Sequence, residues 1–343
     1  MARISKSQKK CNIFFDSRWS GDHGIGRVSR MLDAGLCLPR LILSGKPASP
    51  LDPLRLLITM LRLGKDDAVL SPGFNAPLFV VRPYIFTVHD LNHIDRPENT
   101  SALKKLYYRL ILRRACNKAF KILTVSEFSR QRILSWVKVP EERVVNIGNG
   151  VDPSFKPDVV AYEPGYQYLL CVGNRKAHKN EVRVLTGFAK AIIPQNVCLV
   201  FTGNVSEQLV KLSEQLGVLN RVFFVGHVRE SDLPSLYKGA IALLFPSLYE
   251  GFGLPVIEAM ACGTPVLTSN TTSLPEVAGD AALLVDPESI AEISSGIELL
   301  VNDEELRNSL STKGLKQVQH FSWDTVVLRV KAVLDEYQQW GNK

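Results

Sequence analysis

Two glutamates eight positions apart, Glu250 and Glu258, stand in the segment PSLYEGFGLPVIEAMACGTPVLTS of residues 246–269, with Gly251 and Gly253 beside the first. Ionised carboxylates accept bidentate hydrogen bonds from vicinal hydroxyls, and the N–H groups of a first helical turn attract phosphate or sugar oxygens. Two carboxylates flanking such a turn suit a nucleotide-sugar, one for the ribose and one for the hexose. The local pattern supplies that turn. A strand-like run over 240–247 leads into a loop at 250–253, and a short helix is expected with Pro255 at its first position and a left-handed cap at Gly263. A carboxylate near a helix start can simply complement the dipole, for about 0.3–1 kcal/mol. That accounts for Glu258 alone, and leaves Glu250 and its paired glycines unexplained.

A second cluster, GNRKAHKN at 173–180, follows the strand-like run 168–172. Gly173 makes the turn, Asn180 is expected to cap the next helix, and Arg175 and Lys179 project where a diphosphate would lie. In the first half, SGDHGIGRVSR (20–30) offers Gly24 and Gly26 for a close backbone approach to phosphate. It is not G-x-G-x-x-G, since Ser29 takes the third glycine position, which disfavours a dinucleotide-binding dehydrogenase. The segment TVHDLNHIDRPE (87–98) places His89 and Asp90 at a strand end, and in TVSEFSR (124–130) Ser126 is a sufficient N-cap.

Elements that alternate in type must carry these clusters. Short β-branched or aromatic runs at 11–17, 67–73, 84–90, 121–127 and 143–150 read as strands, with helical stretches between them at 102–119 and 128–137. The second half repeats the scheme at 168–173, 197–203, 221–226, 240–247, 264–270 and 281–286, with helical patterns such as 206–217 and 287–301. Strands apolar on both faces, alternating with helices, imply two doubly wound parallel sheets. At 343 residues the chain exceeds a usual single core. The proline- and glycine-bearing stretch NGVDPSFKPDVVAYEPGY is the natural linker, and ligands of open parallel sheets bind beyond the carboxyl ends of the strands. Two such domains facing across a cleft would place the site between them.

The spacing Glu250-x7-Glu258 closely resembles the E-x7-E signature of retaining glycosyltransferase family 4, whose members have the GT-B fold, and the flanking motifs fit in order along nearly the whole chain. The resemblance implies that Glu250 contacts hydroxyls of the donor sugar, that Glu258 binds the ribose, and that Gly251, Phe252, Gly253 and Leu254 present amides to sugar and diphosphate. GNRKAHKN resembles the family's G-x-R-x-x-K-K-N, with His178 in place of the first lysine, so Arg175 and Lys179 inherit the phosphates. The family's glycine loop matches Gly24 and Gly26 in a GIGR form familiar from mannosyltransferase-like members, and His89 matches a histidine beside the donor sugar. The catalytic set implied is Arg175, Lys179, Glu250 and His89; the donor-binding set is Gly24, Gly26, Gly173, Arg175, Lys179, Val228, Glu250, Gly251, Phe252, Gly253, Leu254 and Glu258. The implied domains are 1–152 on the acceptor side, 153–322 for the nucleotide-sugar, and a C-terminal helix over 323–343 that crosses back to the first.

Charge and composition narrow the partners. Residues 1–152 hold 25 Lys and Arg against 13 Asp and Glu, whereas the remainder holds 16 against 21. A basic half suggests an anionic partner, such as a lipid headgroup, a diphosphate-bearing acceptor or nucleic acid, or else a solvated surface. The stretch 102–121 has seven basic and no acidic residues, but projected as a regular helix its cations spread round the circumference, with Tyr108 and Leu112 interrupting the polar side. No apolar run reaches the roughly 18 residues that span a bilayer, and MARISKSQKK at the start lacks a signal peptide's apolar core. The expectation is a cytoplasmic enzyme with a peripheral membrane contact. The six cysteines form no C-x-x-C and are expected to be reduced core thiols.

No Asp-x-Asp stands at a strand end, so neither metal nor cofactor is expected, and charge stabilisation falls to Arg175, Lys179 and helix-terminal amides. GDP-mannose leads as donor, with UDP- or dTDP-sugars as the alternative and a saccharide or lipid-linked saccharide as acceptor in cell-surface polysaccharide synthesis. A non-catalytic sugar-nucleotide or nucleic-acid binding protein is the rival class; a nucleic-acid partner is not expected.

Overall fold

A computed structural model describes residues 11–21, 24–96, 98 and 100–341. The basic stretch 1–10, and Asp22 and His23 of the glycine segment, lie outside the described residues. Two compact units emerge, one from Met1–Asp95, Thr100–Gly148 and Trp323–Lys343, the other from Arg96–Asn99 and Asn149–Ser322.

The first unit carries β1 (Ile13–Phe15), α1 (Gly24–Leu36), α2 (Asp52–Leu61), β2 (Ala68–Ser71), β3 (Tyr84–Thr87), a single turn α3 (Asn92–Asp95), α4 (Ala102–Tyr107), α5 (Arg113–Lys118), β4 (Lys121–Thr124), α6 (Glu127–Val137), β5 (Val144–Asn146) and α14 (Trp323–Gly341). Its five strands are all parallel and run in the order β1-β2-β3-β4-β5. The reversal that makes the sheet doubly wound is confined to a stub beyond β1. After α1 the chain bridges Phe15 at Arg40, with Phe15 N donating to Pro39 O and Leu41 N to Phe15 O, both at 2.8 Å, before returning to β2 on the other side.

Strand alternation sorts the apolar residues onto two faces. Val69, Tyr84, Phe86 and Ile122 pack with α2, α5 and α6 residues, while Leu70, Ile85 and Leu123 pack with α1 and with Val326, Val330 and Tyr337 of α14. Burying a large side chain on either face contributes about 1.5–3 kcal/mol, which is why these strands read as continuous apolar runs. Gly35 of α1 stands against Val327 of α14, where an added Cβ would lie 2.5 Å from its side chain. Tyr108–Leu112 forms a wide π-type turn between α4 and α5, and Tyr108 and Leu112 face the core. They therefore do not interrupt an exposed polar side.

The second unit carries β6 (Gln167–Cys171), α7 (Glu181–Lys190), β7 (Val197–Phe201), α8 (Glu207–Gln215), β8 (Val222–Phe224), α9 (Leu233–Gly239), β9 (Ala242–Phe245), α10 (Leu254–Ala261), β10 (Val266–Ser269), α11 (Leu274–Ala278), β11 (Leu283–Val285), α12 (Ile290–Asn302) and α13 (Glu304–Gln317). Its six strands are parallel in the order β11-β10-β9-β6-β7-β8. The chain winds outward from β6 to β8, then returns to β9 beside β6 and winds the other way. Five cysteines are buried, but Cys37, just past α1 with φ +51°, is exposed and is not a core thiol.

Candidate functional site

β6 and β9 are neighbours through Leu169–Ala242 and Leu170–Leu243, at the point where the winding reverses. Such a reversal opens a crevice beyond the carboxyl ends of the two strands. The loop 172–180 leaves β6 there, and the loop 246–253 leaves β9, so two sequence clusters far apart in the chain emerge side by side. Leu248 N donates to His178 O at 2.8 Å and stitches them together.

The central contact is an ion pair. Lys179 Nζ donates to Glu250 Oε1 at 2.7 Å, with side chains 14% and 13% exposed, and the ammonium also lies 4.8 Å from the Phe245 ring centre. Arg175 adopts φ +63° and is held from three sides: Nη1 pairs with Glu181 Oε1 at 2.6 Å, Nε donates to Asn204 O at 2.9 Å, and Nη2 to Gly203 O at 3.2 Å. Its guanidinium sits 5.5 and 5.4 Å from the centres of Phe201 and Phe224. A side chain at Gly173 would collide with the Glu181 carboxylate, so glycine is what lets that carboxylate in. Burial pushes the Glu181 carboxyl above its usual range, although Arg175 beside it pulls the other way.

Asn180 occupies the left-handed position before α7 but makes no side-chain cap. Its amide instead donates to Pro246 O at 2.9 Å and Pro287 O at 2.7 Å, while Oδ1 accepts from Arg183 Nη1 at 3.0 Å. The expected local cap is replaced because two buried carbonyls need a donor, and an amide supplies two N–H groups where a cap uses only the oxygen.

The glycine loop is tied down from behind by a residue that no motif marked. Ser273 Oγ bonds Glu250 O at 2.9 Å and Phe252 O at 3.0 Å, and Glu250 N donates to Thr272 Oγ1 at 3.4 Å. Phe252 is buried edge-on to Phe321 at 5.6 Å. Gly253 needs its missing side chain, since φ is +104° and a Cβ would lie 2.6 Å from Leu274 Cδ2. Leu254 opens α10 and Pro255 stands second, not first; both lack of an N–H and the fixed φ are tolerated there. Gly263 closes the helix at φ +73°. Glu258 is the fifth residue of α10, beyond the first turn, so the dipole does not explain it. It is 3% exposed, and its Oε2 accepts from Tyr237 Oη of α9 at 2.8 Å. Val228 is half-buried beyond β8, two residues past Gly226, whose carbonyl accepts from Gly203 N at 2.7 Å.

The first unit holds the remaining candidates. His89 follows β3 and its Nε2 lies 2.8 Å from Pro72 O. Gly24 begins α1, and Gly26 is packed so closely on the Gly21 carbonyl that any side chain would collide. That contact is reason enough for a glycine at 26. Sequence reasoning missed a buried charge cluster in the same unit. Arg18 Nη2 pairs with Asp16 at 2.7 Å and Nη1 with Asp52, all three largely buried, and Asn75 Nδ2 donates to Asp16 Oδ2 at 2.9 Å. Burial pushes the Asp52 carboxyl up, partly offset by Arg18.

Comparison with known families decides the assignment. The family model for glycosyl transferases group 1 matches residues 155–317, and that for glycosyltransferase family 4 matches residues 32–155. The O-antigen chain mannosyltransferase B of Escherichia coli is 34% identical over 283 residues, covering 77% of this chain and 73% of that protein. The chain belongs to glycosyltransferase family 4. This glycosyltransferase shares its two-domain GT-B fold with sucrose-phosphate synthase from Thermosynechococcus elongatus, at TM-score 0.77 and 18% identity over 95% of this chain and 99% of the other. It also matches Anabaena HepE in complex with UDP and glucose, at TM-score 0.72 and 19% identity over 95% of this chain and all of that one. In the glycosyltransferase, Lys179 and Glu250 meet at the β6/β9 switch point, Gly173 and Arg175 lie in the loop after β6 with the Arg175 guanidinium over Phe201 of β7 and Phe224 of β8, Glu258 is seated on α10 against Tyr237, and His89, Gly24 and Gly26 belong to the other unit. Glu181, Tyr237, Thr272 and Ser273 support the cluster; only Glu181, directly after the basic motif, left any trace in the sequence.

Proposed function

We propose that the glycosyltransferase moves mannose from GDP-mannose, with retention of anomeric configuration, to a saccharide or lipid-linked saccharide acceptor in cell-surface polysaccharide synthesis. The observation that carries this reading is the Lys179–Glu250 pair at the switch point, which sets a cation for phosphate beside a carboxylate for sugar hydroxyls. In the reaction the bond from sugar C1 to the β-phosphate oxygen breaks and a bond from C1 to the acceptor oxygen forms. The acceptor proton goes to the departing diphosphate, so no protein nucleophile is needed.

Arg175 and Lys179 meet the negative charge that grows on the diphosphate, and preorganised donors of this kind are the largest catalytic contribution in many enzymes. Both cations hold carboxylate partners here, so the donor exchanges one anion for another and the incoming phosphates find side chains already in place. Glu250 then turns to the hexose and Glu258 to the ribose, and His89 is proposed as a further contact of the donor sugar. Turnover is proposed to need no divalent cation, and activity abolished by exhaustive chelation would contradict this. The mannose assignment is supported by the Escherichia coli relative's name. A UDP-sugar donor is the second reading, favoured by the UDP and glucose in the Anabaena structure.

The basic first half supports a peripheral membrane contact where a lipid-linked acceptor would be met. Among the described residues, no helix is long and apolar enough to cross a membrane. A thermal-shift screen of GDP-mannose, UDP-glucose and dTDP-glucose, followed by donor hydrolysis, tests the donor. Stabilisation and hydrolysis with GDP-mannose above the others are expected, and a preference for UDP-glucose would move the assignment to the second reading.

A further inference from the structure

Exposed large apolar side chains crowd onto one part of the first unit. In the helical segment Ala102–Lys118, Tyr108, Leu112, Ala115 and Cys116 turn inward, while Leu103, Leu106 and Leu110 are 76%, 53% and 52% exposed. Those three leucines recur at helical spacing on the outward side, and Lys104, Lys105, Arg109, Arg113, Arg114 and Lys118 around them are all exposed. No α4 residue is buried, so its first turns stand on the surface.

The pattern continues on α2. Leu51, Leu54, Ile58 and Leu61, spaced three, four and three apart, are exposed, with Arg62 and Lys65 following. Phe79 joins the two helices: its neighbour Leu78 N donates to Pro53 O of α2 at 2.9 Å, and Arg114 of α5 lies 5.3 Å over the Phe79 ring. Phe79 is itself exposed. Tyr107 Oη, bonded to Ala76 N and Phe74 O at 2.9 Å, fixes α4 to the same loop. From Arg40 to Lys65 the sole acidic residue is the buried Asp52, and 102–121 has none.

We propose that this surface, the leucine stripe of α4–α5 continued through Phe79 to α2, docks on an anionic lipid bilayer. Leucines flanked by lysines and arginines place apolar groups at the acyl boundary while the long cationic side chains reach the headgroups. Along 40–65 and 102–121 the exposed charges are basic, with the half-buried Asp66 and Asp67 following only after Lys65, and this balance selects a negatively charged occupant, because each basic residue near an anionic leaflet adds to the attraction. This rests on the peripheral membrane contact proposed above and names the residues that make it. The regular-helix projection of the sequence concealed the stripe, because it counted Tyr108 and Leu112 as part of the outer surface.

The test is flotation of the full chain with vesicles of phosphatidylcholine alone or of equimolar phosphatidylcholine and phosphatidylglycerol. The wild type should float with the anionic vesicles only and be released by salt. The variant Leu103→Glu/Leu106→Glu/Leu110→Glu should partition at least about tenfold more weakly, with unchanged unfolding temperature and donor hydrolysis. Lys105→Glu/Arg109→Glu should weaken binding without touching an apolar side chain. A wild type that stays in solution with both vesicle types would overturn the membrane contact while leaving donor hydrolysis to stand or fall separately. Undiminished flotation of the leucine variant would overturn this surface and leave the membrane contact. A wild-type dimer that the leucine variant dissolves would show a second copy as the occupant and overturn the lipid assignment.

Discussion

Lys179 and Glu250, 71 residues apart in the chain, share a hydrogen bond of 2.7 Å between loops that follow adjacent strands of one sheet. The pair holds a cation and a carboxylate at the sheet's reversal, with neither dispersed into solvent.

Replacing Lys179 by alanine removes the charge proposed to meet the leaving diphosphate and strips Glu250 of its partner. We expect kcat to fall about 10²–10³-fold, as when one preorganised oxyanion donor is lost, with a smaller change in donor KM. Lys179→Arg should recover part of the loss. Steady-state kinetics of the purified variants decide; a kcat equal to wild type in Lys179→Ala would remove this residue from the machinery.

For Glu258, buried against Tyr237, binding and folding effects separate by choice of variant. Glu258→Ala deletes the acceptor of the tyrosine hydroxyl and should cost about 1–3 kcal/mol of stability along with donor affinity. Glu258→Gln keeps an acceptor for Tyr237 and should retain stability yet bind the donor weakly, which chemical denaturation and calorimetric titration will show. A Glu258→Gln variant with wild-type donor affinity would reduce Glu258 to a packing role.

Much of this arrangement is legible in the chain. Within VCLVFTG the first five residues, VCLVF, are apolar at every position because β7 is buried on both faces, and all five of these strand residues are buried. The E-x7-E and basic motifs are local patterns, so they point to their loops directly. What stays hidden is long-range pairing. Asn180 reads as a cap, yet it bonds carbonyls 66 and 107 residues away. Tyr237 and Ser273 carry no motif, since their role is to face a glutamate and a loop carbonyl that only the folded sheet brings near. The π-type turn at Tyr108–Leu112 likewise has no composition of its own.

Arg18 compensates the buried Asp16 and Asp52. Arg18→Met should destabilise the protein by about 3–5 kcal/mol at neutral pH, as expected when one partner of a buried charge network is lost. Burial already holds the Asp52 carboxyl above its usual range against the pull of Arg18, so without the guanidinium its folded-state pKa rises further above the unfolded value. The stability deficit should therefore be smallest in acid and grow as pH rises through that raised value. Urea denaturation at pH 5 and pH 8 checks the sign; a deficit larger at pH 5 would contradict it.

Thiol reactivity follows burial. Burial pushes the Cys262 thiol up to about 12 and raises Cys116, Cys171 and Cys198 as well, whereas Cys37 is exposed. Ellman's reagent on the native protein should titrate Cys37 rapidly and the five buried cysteines only after denaturation. Rapid reaction persisting in a Cys37→Ser variant would contradict the burial pattern.

The most direct measurement is a crystal structure of the protein soaked with GDP-mannose or GDP. The diphosphate should lie beyond the ends of β6 and β9, with oxygens within about 3.2 Å of Lys179 Nζ and Arg175, and the ribose hydroxyls at Glu258. A nucleotide bound elsewhere, with the Lys179–Glu250 pair undisturbed, would contradict the account.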